Sequence, residues 1–278
     1  MTIAVVTDST SYLPSGWAEA DRISVVPVQV VVAGQAYDET DVDDASFVTT
    51  ALSEWKPVST SRPSPERFLQ ACEARIAAGA TGIVMVTLSA DLSATHESAV
   101  IAARELNVPV SVIDSRSIAM GLGFAAVAGA RAANAGADLD EVTSVVTKRA
   151  TGASVLFYVD TLEYLRRGGR LSTARAAVGQ ALAVKPILEL VDGHVAELDK
   201  VRTAGKALSR LVELAVQRAG AADVQLAVQH LGAPDRARDV AETLRQRLPG
   251  AELVVCPVGG VVGAHVGPGM VAVVVSPR

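Results

Sequence analysis

The feature that most constrains the fold is an alternation of short apolar runs with longer helical stretches through the first half of the chain. Runs such as IAVVTD, GIVMVTLS and VPVSVIDS are rich in β-branched residues. Between them lie amphipathic stretches such as PERFLQACEARIAAG and ATHESAVIAARELN. Strands buried on both faces are continuously apolar, and parallel neighbours need helical crossovers. The pattern therefore predicts an α/β domain with a parallel sheet and helices on both faces.

Residues with known positional preferences mark the predicted helix ends. Ser64 stands where an N-cap is expected, Pro65 takes the first helical position, and Gly79 lies beyond the last turn. Asp138 is predicted to cap a later helix in the same way.

The second half has a different pattern, with a strand SVLFYVDT, a helix around AVGQALAV and then a hairpin, KPILELVDGHVAELDKV, that turns at Asp192-Gly193. Further strands, DVQLAVQH, AELVVCPV and MVAVVV, alternate with helices such as DRARDVAETLRQRL. We therefore predict two domains, an N-terminal α/β domain at residues 1–151 and a C-terminal α/β domain with a mixed sheet at residues 152–278.

Composition excludes several classes of protein. The chain has 278 residues, half of them hydrophobic, and a net charge of −5, which argues against a nucleic-acid partner. It contains no stretch of eighteen apolar residues, and its first residues do not form a signal peptide, so we expect a cytoplasmic protein. Cys72 and Cys256 have no CxxC spacing and are predicted to be buried, reduced thiols. No segment predicts a large exposed apolar face, which favours a monomer.

Common catalytic and cofactor motifs are absent. His96 begins an HE pair, but Val100 stands where a second zinc ligand would be needed. There is no GxSxG turn and no phosphate loop ending in GK[ST]. The segment GLGFAA matches a dinucleotide motif only loosely, and helix packing at Gly121 and Gly123 explains it better. The histidines lack metal-ligand spacing, so the sequence predicts neither a metal nor a cofactor.

Hydroxyl and acidic residues follow the predicted strands of the first half. They form four clusters: Thr7–Thr10, Ser59–Ser64, Leu88–Thr95 and Asp114–Ser115. Each hydroxyl taken alone is explained by helix capping. Together they lie where the carboxyl ends of parallel strands form a ligand crevice, and hydroxyls beside helix N-termini bind anions well.

Two glycine-rich segments of the second half raise the same question. LRRGGRL, residues 165–171, is either a solvated basic turn or a backbone that approaches an anion. GGVVGAHVGPGM, residues 259–270, places His265 among glycines, which permit positive φ and close approach to a ligand. We expect the loop around His265 to close over a negatively charged head group that is held by neutral donors.

The motifs TDST, TSRPSP, LSATHESA, VIDS, YLRRGGRLS, KPIL and GAHVGPG occur in this order along the chain. In these motifs the chain resembles the DegV family of bacterial fatty-acid-binding proteins over essentially its whole length. RGGR followed by GxHxGPG is the most specific part. The resemblance implies one long-chain fatty acid, such as hexadecanoate, buried between two α/β domains, with no other cofactor.

The resemblance also implies roles for individual residues. The carboxylate would be held by five side chains: Thr60, Ser61, Ser93, Thr95 and His265. Arg62 and Arg170 would lie near the entrance or contact a partner. Some family members present the carboxylate to a separate fatty acid kinase, which implies a lipid-binding protein and not an enzyme. Transient contact with a membrane is compatible with such a ligand.

Two positions depart from the family pattern. Ala94 stands where the family usually has glycine, which predicts a slightly tighter head-group pocket. Arg62 replaces a polar amide and either brings a cation close to the carboxylate or points outward.

Two alternative functions stay open at the level of sequence. Ser93 and His265 could act as nucleophile and base in acyl or phosphoryl transfer, although no acidic residue is evident to orient the histidine. A pocket for another small acid or a carbonyl compound is the second alternative.

Overall fold

The structure, a computed structural model, describes residues 2–41, 44–171 and 184–278. Its strands in chain order are β1 (Ile3–Asp8), β2 (Ser24–Val26), β3 (Gln29–Val32), β4 (Gln35–Asp38), β5 (Val58–Ser61), β6 (Gly82–Thr87), β7 (Val110–Asp114), β8 (Ser154–Tyr158), β9 (Lys185–Val191), β10 (His194–Val201), β11 (Val224–His230), β12 (Glu252–Pro257) and β13 (Val271–Pro277).

The helices lie between these strands and cover their faces. They are α1 (Trp17–Ala20), α2 (Asp44–Ser53), α3 (Pro65–Ala77), α4 (Thr95–Ala103), α5 (Met120–Asn134), α6 (Leu139–Gly152), α7 (Glu163–Arg167), α8 (Ala204–Ala219), α9 (Pro234–Arg247) and α10 (Gly260–Val266), with a short 3₁₀ helix at Ser9–Ser11.

The chain divides into two compact units. The first contains the N-terminal residues up to Gln29 together with Ser61–Gly152. The second contains Val30–Thr60 together with Ala153–Arg278. The structure thus differs from the predicted limits of 1–151 and 152–278 in the path of residues 30–60. These residues belong with the second unit because their contacts are with it, as described below.

The first unit is built on a four-stranded parallel sheet in the order β2-β1-β6-β7. Successive residues of β1 alternate between the two faces, as the pleat requires. Ile3 and Val5 pack with α5 and α6, whereas Ala4 and Val6 pack with α3 and α4. The predicted parallel sheet with helices on both faces is confirmed.

Capping residues define the helices of this unit as the sequence predicts. Ser64 occupies the N-cap of α3, and Gly79 follows the helix with φ of +99°. At the start of α6, the Asp138 amide donates to Glu141 Oε2 and the Glu141 amide donates to Asp138 Oδ1, each at 2.9 Å. This reciprocal arrangement is a capping box, and it satisfies two amides that would otherwise lack partners.

Two glycines of α5 pack closely against different neighbours. A Cβ on Gly123 would lie 2.7 Å from the Ser11 carbonyl oxygen, so this glycine packs on the 3₁₀ turn and not on another helix. A Cβ on Gly129 would lie 2.3 Å from Val146 Cγ2 of α6. The close helix–helix contact therefore depends on Gly129, which the loose GLGFAA motif does not include.

The second unit contains a mixed six-stranded sheet in the order β10-β9-β8-β13-β11-β12. β11 and β12 are parallel, and the other pairs are antiparallel. The β9–β10 hairpin turns at Asp192-Gly193, both with positive φ, as predicted. The predicted helix AVGQALAV lies mostly at residues 172–183, outside the described residues.

Residues 30–60 add a feature that the sequence did not predict, a three-stranded sheet in the order β4-β3-β5. They attach to α10 of the same unit. The Val261 amide donates to Glu39 Oε1 at 2.8 Å, and a Cβ on Gly260 would lie 2.6 Å from Val48 Cγ2. These buried contacts explain why the segment leaves the first unit.

Both cysteines are buried and neither forms a disulfide, as predicted. No helix in the described part of the chain combines the length and apolarity needed to cross a membrane.

The contact at Gly129 predicts a coupling between α5 and α6. Gly129→Ala should lower the free energy of unfolding by about 1–3 kcal/mol because the new methyl overlaps Val146. Adding Val146→Ala should relieve the overlap, so the double variant should lose less stability than the sum of the single losses. Urea denaturation of the three variants measures this. Gly205→Ala, with open space around it in α8, is the control and should not destabilise the protein. Strict additivity would contradict this packing.

Candidate ligand-binding site

In the first unit, the segment after β6 carries a pair of hydroxyl groups. Ser93 Oγ and Thr95 Oγ1 lie 2.9 Å apart, and the Thr95 amide donates to Ser93 Oγ at 3.3 Å. Thr95 is fully buried and begins α4. Because one hydroxyl of such a pair donates to the other, one hydroxyl hydrogen is left for a further acceptor.

Ala94, between these two residues, has ordinary backbone geometry. It stands at the N-cap of α4 with φ of −72°. L-residues adopt this angle without strain, so the change from glycine costs no backbone energy here.

Arg62 is engaged by neighbours in the first unit. Its Nη1 donates to Glu97 Oε2 at 2.5 Å and to the Ala94 carbonyl at 3.3 Å. Both partners of the ion pair are exposed. The neighbouring Ser61 is also exposed, and its hydroxyl makes only a long contact of 3.4 Å to the Arg62 carbonyl. In the described part of the chain, neither side chain forms a hydrogen bond with the Ser93 or Thr95 hydroxyl.

In the second unit, His265 contacts Thr60. Nε2 of the imidazole lies 3.0 Å from Thr60 Oγ1, although 205 positions separate the two residues in sequence. His265 stands in the last turn of α10 and not in a loop, contrary to what the glycine-rich sequence suggests. Its loop-forming glycines come later, with positive φ at Gly267 and Gly269.

The RGGR turn forms one wall of the His265 environment, and its two glycines have different functions. A Cβ on Gly168 would lie 2.2 Å from His265 Nδ1, so only glycine leaves room for the ring. Gly168 itself has an ordinary φ of −73°. Gly169 has open space around it but a φ of +68°, which favours glycine for conformational reasons.

The surroundings of His265 suppress its charge. Burial is the main cause and the positive charge of Arg170 is the second, and together they lower the pKa of the imidazole to about 4. His265 is therefore neutral at pH 7. Its Nδ1 is buried and has no hydrogen-bond partner in the part of the chain that the structure describes. Arg170 donates from Nη1 to the Gly168 carbonyl at 2.5 Å, which places it in the same turn.

A polar cluster that the sequence did not single out fixes the loop after His265. Arg236 Nη1 lies 3.2 Å from both Asp160 Oδ2 and the Gly269 carbonyl oxygen. The Tyr158 hydroxyl donates to Asp160 Oδ1. A Cβ on Gly269 would lie 2.1 Å from Asp160 Oδ2, so the glycine is needed for this approach. Asp160 lies two residues beyond the end of β8.

Four of the five predicted carboxylate ligands therefore form two pairs, each within its own unit, and Ser61 belongs to neither pair. Thr60 contacts His265 in the second unit, and Ser93 contacts Thr95 in the first. No group of three or more His, Cys, Asp or Glu residues that could hold a metal occurs among residues 2–41, 44–171 and 184–278.

Comparison with known proteins gives a match over the whole chain. The model of the DegV family, described as "Uncharacterised protein, DegV family", matches residues 2–278. A DegV domain-containing protein of Streptomyces coelicolor is 52% identical over 277 residues, which is 99% of each chain.

Two solved structures are similar over the full length of both chains. One, described as fatty acid binding of a DegV family protein from Thermus thermophilus, has a TM-score of 0.93 and 29% identity. The other is DegV, a fatty acid binding protein from Bacillus subtilis, with a TM-score of 0.91 and 30% identity.

The His265 environment predicts an unusual titration. In NMR spectra recorded against pH, the His265 ring should change charge near pH 4, whereas an unperturbed histidine does so near 6.5. The pKa of His265 is lower in the folded protein than in the unfolded chain, so protonation of the ring favours unfolding. The free energy of unfolding should therefore decrease as the pH falls from about 6.5 to 4.

Gly168→Ala tests the cause of this titration. The added methyl should displace the ring from Thr60 and move the midpoint upward, toward pH 6.5. Gly169→Ala introduces strain at positive φ but no contact with the ring, so it should lose some stability and keep the low midpoint. A wild-type midpoint near 6.5 would contradict the described burial.

Proposed function

We propose that this chain, which belongs to the DegV family, binds one long-chain fatty acid and holds its carboxylate with neutral hydrogen-bond donors. The observation that carries the proposal is the contact between Thr60 and an uncharged His265. Full-length similarity to two DegV fatty-acid-binding structures supports it.

The Thr60–His265 contact suits a carboxylate in one tautomer of the histidine. If Nε2 carries the hydrogen, it donates to Thr60 Oγ1 and leaves the Thr60 hydroxyl hydrogen for a ligand oxygen. In the other tautomer, Thr60 would donate to Nε2 and a buried Nδ1–H would have no acceptor. Since a buried donor without a partner is rarer than an unpaired acceptor, the first tautomer is favoured. His265 thereby orients Thr60 as a donor.

The Ser93–Thr95 pair offers a second donor of the same kind. A carboxylate buried without partners is strongly disfavoured, and two or three neutral donors remove most of that penalty. In our proposal Thr60, Ser93 and Thr95 bind the head group, and His265 contributes by orienting the Thr60 hydroxyl. Ser61 stays a predicted ligand residue on the basis of the family resemblance.

The acyl tail supplies the affinity. Each buried methylene contributes about 0.8 kcal/mol, so a chain of about sixteen carbons gains roughly 12 kcal/mol before the costs of association. Such a gain requires that the tail be enclosed, and we propose a single buried tunnel for it.

The proposal includes presentation of the bound carboxylate to a separate fatty acid kinase. Neutral donors stabilise the carboxylate without a direct cationic partner, so its oxygen stays available to attack the terminal phosphate of a nucleotide. Arg62 and Arg170 are the proposed entrance or partner contacts. In the structure Arg62 is already paired with Glu97, a pair that a partner would have to share or break.

The contacts of Ser93 and His265 favour a binding function over one in which this protein itself catalyses acyl or phosphoryl transfer. The Ser93 hydroxyl is paired with the Thr95 hydroxyl, and no base forms a hydrogen bond with it among the described residues. His265, with a pKa of about 4, is a weak general base at neutral pH. Among the described residues, no carboxylate contacts its Nδ1 to orient the ring.

Mass spectrometry of lipid extracted from the purified protein tests the proposed ligand. We expect an equimolar long-chain fatty acid. Incubation with fatty acid and ATP should yield no acyl phosphate unless a fatty acid kinase is added. Protein that takes up only short acids would favour the small-acid alternative, and turnover without a kinase would favour the enzyme alternative.

Thr60→Val tests the head-group contact, because it keeps the shape of the side chain and removes the hydroxyl. We expect fatty-acid affinity to fall about tenfold, as for the loss of one hydrogen bond to a charged group. Thr243→Val is the matched control, since Thr243 is exposed and its hydroxyl only donates to the Asp239 carbonyl within helix α9. Isothermal titration with a long-chain fatty acid measures both variants. Equal affinity of Thr60→Val and wild type would exclude Thr60 from the site.

A further inference from the structure

Asp8, at the end of β1, carries a fully buried carboxylate with an unusual set of partners. Its Oδ1 accepts from the Thr10 amide at 3.0 Å and from the Thr10 hydroxyl at 2.5 Å. Its Oδ2 accepts from the Leu88 amide at 2.8 Å. No lysine or arginine in the described chain forms an ion pair with it. The charge is therefore satisfied by neutral donors alone.

Leu88 begins the segment that leads from β6 to the Ser93–Thr95 pair. Its backbone is held by acceptors at the end of β1, at and after the end of β7, and in the segment itself. The amides of this segment donate as follows: Leu88 to Asp8 at 2.8 Å, Ser89 to the Ser117 carbonyl at 2.8 Å, Ala90 to Asp114 Oδ1 at 3.1 Å, Asp91 to Ser89 Oγ at 3.2 Å, Leu92 to the Ser89 carbonyl at 3.0 Å and Ser93 to the Ser89 carbonyl at 3.2 Å. Asp8 makes the first of these contacts, 80 residues away in sequence.

We propose that Asp8 is a positioning residue for the ligand site, which fixes Leu88 and through it the orientation of the Ser93–Thr95 hydroxyl pair. The inference rests on the proposed function for its effect on affinity, but its structural part stands without it. Asp8 acts through the backbone, and its own oxygens are occupied by Thr10 and Leu88.

The geometry requires a carboxylate at this position. Both oxygens of Asp8 face donors, whereas an asparagine offers one oxygen and one NH₂ group. Either orientation of asparagine would point NH₂ at the Leu88 amide or at the Thr10 donors, and a bond would be lost. Asp114 is different, because its Oδ1 alone accepts from both Ala90 and Arg116.

The cost of this carboxylate indicates a role beyond filling space. Burial raises the pKa of Asp8 to about 6, although hydrogen bonds from Thr10 and Leu88 act in the opposite direction. A buried charge is expensive, and an apolar or amide side chain would fill the same volume at lower cost. An apolar or amide side chain lacks the two acceptor oxygens with which Asp8 binds two chain segments, at Thr10 and at Leu88.

Asp8→Asn and Asp114→Asn, the same chemical change at two positions, test the proposal. In Asp8→Asn, hydrogen exchange of the Leu88–Ser93 amides should accelerate at least tenfold, while the amides of the central residues of β1 keep their protection. Its affinity for a long-chain fatty acid should fall about tenfold or more. Asp114→Asn should match wild type in both measurements. Asp8→Asn with exchange and affinity within twofold of wild type would overturn the proposal.

A measurement on the Asp114→Asn protein covers the case in which Asp8→Asn does not fold. The Asp8 carboxyl ¹³C resonance reports its own titration, which separates it from His96 and Glu97, the other titratable groups on the adjacent helix α4. The Leu88, Ser93 and Thr95 amide resonances should follow the Asp8 midpoint. Ser93 and Thr95 amide resonances that do not shift as Asp8 titrates would overturn the proposal. Wild-type protein that binds no fatty acid would instead refute the proposed function and leave this structural test intact.

Discussion

Burying a polar group without a hydrogen-bond partner is costly, and two buried groups of this protein, the Asp8 carboxylate and the His265 imidazole, have neutral partners. The Asp8 carboxylate accepts hydrogen bonds from the Thr10 hydroxyl and from the amides of Thr10 and Leu88. His265 is held uncharged by burial and by the nearby Arg170, with the Thr60 hydroxyl at Nε2. In the tautomer that donates from Nε2, His265 leaves the Thr60 hydroxyl hydrogen for a further acceptor, such as a carboxylate oxygen.

Glycine serves two distinct purposes around this site. At Gly168 and Gly269 it makes space, for the His265 ring and for the Asp160 carboxylate respectively. At Gly169 it permits a positive φ, and Gly267 and Gly269 combine a positive φ with close packing. The RGGR and GPG motifs are thus parts of one packing arrangement in the second unit. This explains why a histidine stands among so many residues without side chains.

Local features could be predicted from the sequence because their physical causes are local. The Asp192-Gly193 turn, the Asp138 capping box and the alternating packing of β1 all depend on residues close together in the chain. The resemblance to a known family added the Thr60 and His265 assignments, and the structure brings these two residues into contact.

What the sequence could not indicate depends on contacts between distant residues. The helical state of His265 follows from α10 packing on Val48 through Gly260. The same contacts draw residues 30–60 into the second unit. The link from Asp8 to Leu88 and the pairing of Arg62 with Glu97 also join separate segments, and neither leaves a periodic pattern in the sequence.

Whether uncharged donors hold an acidic head group can be seen in a crystal structure of the protein grown with hexadecanoate. We expect a carboxylate oxygen within hydrogen-bond distance of Thr60 Oγ1, with the acyl chain enclosed in protein. A head group in solvent, or one paired with an arginine while Thr60 contacts only His265, would contradict this expectation.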